Sequence, residues 1–467
     1  MNEITSRMRG RLCTIWLPMA TVFILLAWAG WALLSRPVVG VADILDFWRV
    51  MRPAGIEHNT PLEYPGYFVR ADFVTGDADL LSAPSSSAAM AWAARSCRWA
   101  FGTEPGNLDL RQMGLVWWLL LVFTVWLSGA FRAPWWLLAA ITFIAVDPGY
   151  LLFFNSFYAD AAMITGLVAA TLWFEVRSRA NTHSPLTLLP AGAVLWLMAL
   201  TAGASKMQYV LFAWITICAV AASGVGRRSA RRSMLVIMVG LLVLGAGSVW
   251  LFFDGPGPRF LAFNNYHAVF GGLLKATSDD QHAFQTLRIS EPHRDLARTD
   301  AWSAGVGPKH PVHDELKDLS RLTLLRLYLT DPGALIRTTQ EITGILARIE
   351  SHPRGTMERR ETDHGPHKRV FTVWWQHSRT FRRTYTAWPG FWLILTGAAA
   401  WILRDLIRTR RASGSMVLLW VWTTSQFGVA VLGEGFVNLH QHLVGARLGL
   451  DLLVVVMMAE YLRRRTS

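Results

Sequence analysis

Apolar residues in this chain gather into ten runs, near 12–34, 113–131, 134–147, 159–176, 187–204, 207–225, 233–253, 387–406, 415–433 and 443–462. A helix rises about 1.5 Å per residue, so a hydrocarbon core roughly 30 Å thick takes about 20 apolar residues. The pattern therefore predicts an all-α integral membrane protein with about ten transmembrane helices, the run at 134–147 being the shortest. Polar positions concentrate in two long intervals, 35–112 and 254–386. The expected organisation is a bundle over 1–253 that carries a first outer loop at 35–112, an outer helical region at 254–386, and C-terminal membrane helices over 387–467.

Within the intervals, helical periodicity is expected at 87–101, 316–329 and 333–349, the last after the Asp331-Pro332 start signal. Met90, Trp92, Trp99 and Phe101 suit the first of these either to lying on the membrane or to packing on other loop elements. The stretch 352–369, rich in His, Arg, Gly and Glu, reads as a flexible loop.

Charge adds orientation. Arg7, Arg9, Arg11, Arg177, Arg179, Arg227, Arg228, Arg408, Arg410, Arg411 and the Arg463–Arg465 run fall at alternate boundaries of the apolar runs. Short-loop Arg and Lys favour the cytoplasmic side, so both termini are expected there, in a multi-pass protein of the bacterial inner membrane. Ala27-Trp28-Ala29 loosely fits a cleavage site, but the apolar run continues to Leu34.

The net charge of +13 is absorbed by these clusters and by the membrane lipids they face, and no nucleic-acid motif accompanies it. A composition 52% hydrophobic and 16% charged, with 23 Trp, exceeds what a single soluble core needs. Cys13, Cys97 and Cys218 are too few and too scattered for a disulfide framework or a zinc site.

The opposite boundaries hold the candidate chemistry. Asp43 and Asp46 follow the first run at a spacing that puts both on one helix face, where an acid beside low-dielectric surroundings suits proton abstraction. The plainer alternative is a helix-start acid paired with Arg49 or Arg52. Asp160 opens a membrane run, where an ionisable group is costly and marks function, although capping would also favour it there. Lys206 and Gln208 break the basic-inside pattern; Lys206 suits a phosphate, or else snorkels. In the last outer loop, His440 and His442 are spaced wrongly for zinc on a helix, and Arg447 with Asp451 forms either a site or a buried ion pair.

Three segments carry a family likeness: Asp46-Phe47-Trp48-Arg49-Val50-Met51, Phe154-Asn155-Ser156-Phe157-Tyr158-Ala159-Asp160, and Asn265-Tyr266-His267-Ala268-Val269-Phe270 followed by Gly272-Leu273-Leu274-Lys275. In this order the chain resembles bacterial GT-C superfamily glycosyltransferases of the glycan biosynthesis hexose transferase type. The resemblance implies a GT-C-like bundle, a polyprenyl-phosphate sugar donor, a glycan or lipid-linked acceptor, and an acidic base in the first outer loop. That base is Asp46, with Asp43 second, and Asp160 ends the second motif. Arg49, Asn155, Tyr158, Lys206, Gln208, His267, Lys275, His442 and Arg447 become candidate substrate contacts. The family's last-loop pattern departs here, with Asn438 and Gln441 where charges are expected. Carboxylates at such a site permit a divalent metal, yet no ligand spacing demands one. Other readings of the same outer clusters are a lipid-linked glycan polymerase or ligase, and a flippase, though no internal repeat of the transporter kind is evident.

Overall fold

The computed structural model describes residues 2–43, 46–59, 68–79, 85–130, 133–179, 196–197, 199–223, 231–253, 261–307, 309–347, 365–437 and 439–466. The described residues are mostly helical. The principal helices are α1 (Asn2–Leu34), α2 (Ser87–Ser96), α3 (Arg111–Ala130), α4 (Trp135–Ala145), α5 (Asp160–Arg179), α6 (Phe212–Ala222), α7 (Arg231–Phe253), α8 (Leu261–Ala268), α9 (Arg321–Thr330), α10 (Pro332–Ala347), α11 (Gly365–Thr386), α12 (Trp388–Thr409), α13 (Gly414–Glu434) and α14 (Val444–Thr466).

Among the described residues four helical segments are long and apolar enough to cross a membrane: Trp16–Leu34, Arg111–Ala130, Trp388–Thr409 and Gly414–Gly433. A fifth arises if Trp135–Ala145 and Pro148–Asn155, bent by 60°, count as one broken span. Met207–Ala222 and Leu235–Trp250 are shorter apolar helices. The run expected at 187–204 lies largely outside the described residues.

Burial explains why hydropathy alone undercounts the core. Every residue from Leu151 to Leu172 is buried, so α5 sits inside the bundle and tolerates polar groups that find internal partners. α13 packs against α14, α5, α6, α8 and α12, which makes it the second central element. Trp117 and Trp422 are fully buried, each removing on the order of 150–250 Å² from solvent or lipid.

The all-α expectation missed a small sheet in the first outer loop. Strands β1 (Ile56–His58), β2 (Asp72–Thr75) and β3 (Asn107–Asp109) pair antiparallel in that order, with His58 opposite Phe73 and Phe73 opposite Leu108. Strands of three or four residues are too short to display an alternating pattern. α2 ends at Ser96, before a separate 3₁₀ turn at Arg98–Ala100, and so falls short of the expected 87–101. It settles Ala88, Ala91 and Ala94 inward and donates from Trp92 and Arg95 to the carbonyls of Pro53 and Ala54, while Trp99 stays exposed. Of the loop expected at 352–369, residues 352–364 lie outside the described set and 365–369 begin α11.

The two ends of the bundle differ in chemistry. At one end Ser415 donates to Glu175, Arg464 pairs with Asp405 and with Glu460, and the Ala412 N–H reaches the Ala222 carbonyl. The other end gathers the segment after α1, the sheet, the turn before α5, the turn before α6 and the loop between α13 and α14.

Candidate functional site

The end of α1 fixes the site. A helix leaves its last carbonyls without intrahelical partners, and here side chains from distant segments supply them. Asn155 donates both amide hydrogens, to Leu33 O and Val39 O at 2.8 Å each, and Arg111 donates to Leu34 O at 3.2 Å. Asn155 is fully buried, and Gly40 and Gly114 lie so close to it that a Cβ at either would meet an Asn155 oxygen at 2.1 or 2.0 Å. The neighbouring motif residues also hold this backbone and the rings around it. Ser156 Oγ accepts from the Tyr158 N–H, Tyr158 donates to Ala42 O at 3.2 Å, and Phe157 packs edge-on against Phe47 and Phe73. Asn155 and Tyr158, expected as substrate contacts, thus act on the backbone that presents Asp43 and Asp46.

Those two carboxylates do not share a helix face, because the helical turn Trp48–Met51 begins only after them. Asp43 is instead a cap: Oδ1 accepts the N–H groups of Asp46 and Phe47 at 3.1 and 3.2 Å, while Oδ2 takes His58 Nε2 at 2.9 Å. Asp46 is the more open of the two, its side chain 25% exposed against 5% for Asp43. Arg49 holds Asp46 Oδ1 at 3.2 Å, and Gln441 makes a long contact of 3.5 Å with Oδ2. A cavity of about 570 Å³ opens beside Asp43, which lines it with Trp48, Met51, Arg52, Ile56, Glu57 and His58.

Gln441 leads to the second half of the site. Its neighbour His442 places Nδ1 3.0 Å from Gln208 Oε1, and Gln208 Nε2 donates to His442 O and to Gln426 Oε1. The turn that carries Gln208 also carries Lys206 and Tyr209. The Tyr209 hydroxyl donates to Asp160 Oδ1, and Lys206 Nζ stands 4.0 Å from Asp160 Oδ2. That separation is an ion pair without a hydrogen bond, so Lys206 Nζ and Asp160 Oδ2 are buried with no hydrogen-bond partner among the described residues. Leaving such atoms unsatisfied costs roughly 1–3 kcal/mol each or more, which an entering polar ligand would recover.

The remaining candidates fall elsewhere. His267, in the last turn of α8, accepts at Nε2 the N–H of Ala301 from the region that follows, at 3.2 Å. Lys275 is exposed, lies 5.4 Å over the Phe436 ring, and lines a separate cavity of about 420 Å³ with Arg337 and Glu341. Arg447 is buried and donates to Ile345 O at 3.2 Å. Among the described residues no group of three His, Cys, Asp or Glu side chains is arranged to hold a metal ion.

Sequence reasoning missed two features. His58 carried no local signal, since only the pairing of β1 with β2 brings it to Asp43. The other is a buried charge network around Arg382, which bonds Asp451 at 2.7 Å and Asp147 at 3.3 Å while Tyr150 and Tyr385 donate to Asp451. Asp147 further accepts from Trp374 and Ser378. Burial opposes the charge on Arg382, but the two carboxylates outweigh it and raise its pKa. The i, i+4 stripe Trp374, Ser378, Arg382 was the available clue. In this network α11 is docked as a strap across the same end of the bundle, with Trp374 stacked between Trp28 and Phe143.

No curated protein and no solved structure matches the chain. A family model described as the YfdI N-terminal transmembrane domain matches residues 6–467, in agreement with the apolar helices above, and the chain is therefore a multi-pass membrane protein of the YfdI family.

Proposed function

We propose that this protein is a GT-C-type membrane glycosyltransferase that moves a sugar from a polyprenyl-phosphate donor to a glycan or lipid-linked acceptor. In this reading about ten spans cross the inner membrane, both termini are cytoplasmic, and the site faces outward. The observation that carries it is the convergence of Asp43, Asp46, Asp160, Lys206, Gln208 and His442, from sequence-distant segments, at one end of the bundle. The YfdI family's association with glycosyltransferase-like proteins supports it.

The chemistry asks for few parts. A base drawn from the Asp43 and Asp46 neighbourhood takes the proton of the acceptor hydroxyl as its oxygen attacks the anomeric carbon. The bond from that carbon to the phosphate oxygen breaks, and Lys206, held by Asp160, stabilises the charge left on the phosphate. A lipid-borne donor presents its head group at the membrane boundary, which is where this reading sets the site.

The test is transfer of radiolabelled sugar from polyprenyl-phosphate donors by purified protein in lipid, comparing wild type with Asp46→Asn and Asp160→Asn. Transfer by wild type and its loss in folded variants supports the reading. Absence of transfer across a donor and acceptor panel, together with movement of lipid-linked glycan between leaflets, would replace it with a flippase.

A further inference from the structure

We infer that His58 is the group that receives the acceptor's proton, with Asp43 as its positioning residue; this rests on the glycosyl-transfer reading and refines it. A carboxylate only accepts hydrogen bonds, so the 2.9 Å contact with Asp43 Oδ2 places the ring hydrogen on Nε2. In the neutral imidazole Nδ1 is then a bare acceptor. That atom is buried and has no hydrogen-bond partner among the described residues, while the ring borders the cavity of about 570 Å³.

The neighbouring acids are less free. Both Asp43 oxygens are engaged, by the Asp46 and Phe47 N–H groups and by His58 itself. Asp46 is committed to the Arg49 guanidinium and touches Gln441. Imidazole is also the side chain suited to exchanging a proton near neutral pH.

The ring is held for the task from several sides. Its strand position opposite Phe73 and the 5.3 Å ring contact with that residue fix its plane, and Phe73 is carried in turn by Phe157. The charged groups that border the same cavity are Asp43, Glu57 and Arg52. In the step, the hydroxyl oxygen bonds the anomeric carbon as its proton passes to Nδ1. The electron pair of the broken carbon–oxygen bond leaves on the phosphate. Asp43 balances the imidazolium until the proton is lost to solvent through the cavity.

Two measurements test this on the full chain in lipid nanodiscs. With ¹⁵N-histidine labelling, and the His58 resonance identified by its loss in His58→Gln, the wild-type spectrum at neutral pH is expected to show the Nε2–H tautomer. Asp43→Ala should shift it to a mixture of tautomers. An Nδ1–H tautomer in wild type overturns the assignment whatever the activity. In the transfer assay, His58→Gln should lower kcat by about 10²- to 10⁴-fold with little change in donor KM. Wild-type transfer with His58→Gln activity within about threefold would overturn the role of His58 and leave glycosyl transfer standing. No transfer by wild type would overturn the underlying reading and this assignment together.

Discussion

Replacing Arg382 with Met tests whether the charge network or apolar packing holds α11 against the bundle. The guanidinium side chain is 4% exposed, and its partners Asp147 and Asp451 are 2% and 1% exposed. Removal deletes the 2.7 Å bond to Asp451, the 3.3 Å bond to Asp147 and a 2.9 Å bond to Ser378. It leaves two carboxylates in a buried region, and breaking a buried pair on one side costs about 3–5 kcal/mol. Asp451 retains the hydroxyls of Tyr150 and Tyr385, and the Arg447 charge acts on both acids, so the expectation is the lower end, about 3 kcal/mol or roughly a hundredfold in the folding equilibrium. The assay is reversible unfolding in mixed micelles of wild type, Arg382→Met, Asp451→Asn and the double variant. Because Asp451→Asn removes one of the stranded charges, the double variant should be more stable than the sum of the single losses predicts, by about 1–3 kcal/mol. Additivity within about 0.5 kcal/mol would refute the argument, since independent sites add to that accuracy.

Asn155→Ala should destabilise the protein by about 2–4 kcal/mol, because the buried carbonyls of Leu33 and Val39 both lose their donor; a thermal or denaturant shift below about 0.5 kcal/mol would contradict this. Lys206→Met should abolish sugar transfer and cost about 3 kcal/mol by leaving Asp160 with only the Tyr209 hydroxyl, and adding Asp160→Asn should restore stability without restoring transfer. Recovery of activity in that double variant would count against a phosphate role for Lys206. Asp109 predicts an acid dependence. Burial works to raise its pKa, but hydrogen bonds and charge from Arg111, with Arg36 added, bring it below the ordinary 3.8. A depressed folded-state pKa stabilises above the unfolded value and is lost as pH falls through the folded one. Unfolding measured from pH 6 downward should therefore show a loss of stability below about pH 4 that is reduced in Asp109→Asn. An unchanged acid limb in that variant would sink the assignment.

Much of the architecture was legible along the chain because desolvation is a local property of composition: a run of about 20 apolar residues is costly anywhere but in a membrane or a core. The apolar runs, their polar boundaries and the candidacy of Asp46, Asp160, Lys206 and His442 all follow from that. Partnership is different, because the cost of a buried charge depends on what faces it, and those groups stand far apart in sequence. Nothing near residue 58 announces Asp43, and nothing near residue 382 announces Asp147 and Asp451. The two amide hydrogens of Asn155 look available to a substrate until they are found on Leu33 and Val39. Composition thus determined which residues leave water and at which boundaries the polar groups gather. Only the tertiary structure decided which of those groups satisfy one another and which, like His58 Nδ1 and Lys206 Nζ, are left without a hydrogen-bond partner among the described residues, because hydrogen bonds and ion pairs form across space, wherever the fold brings their atoms within about 3 Å.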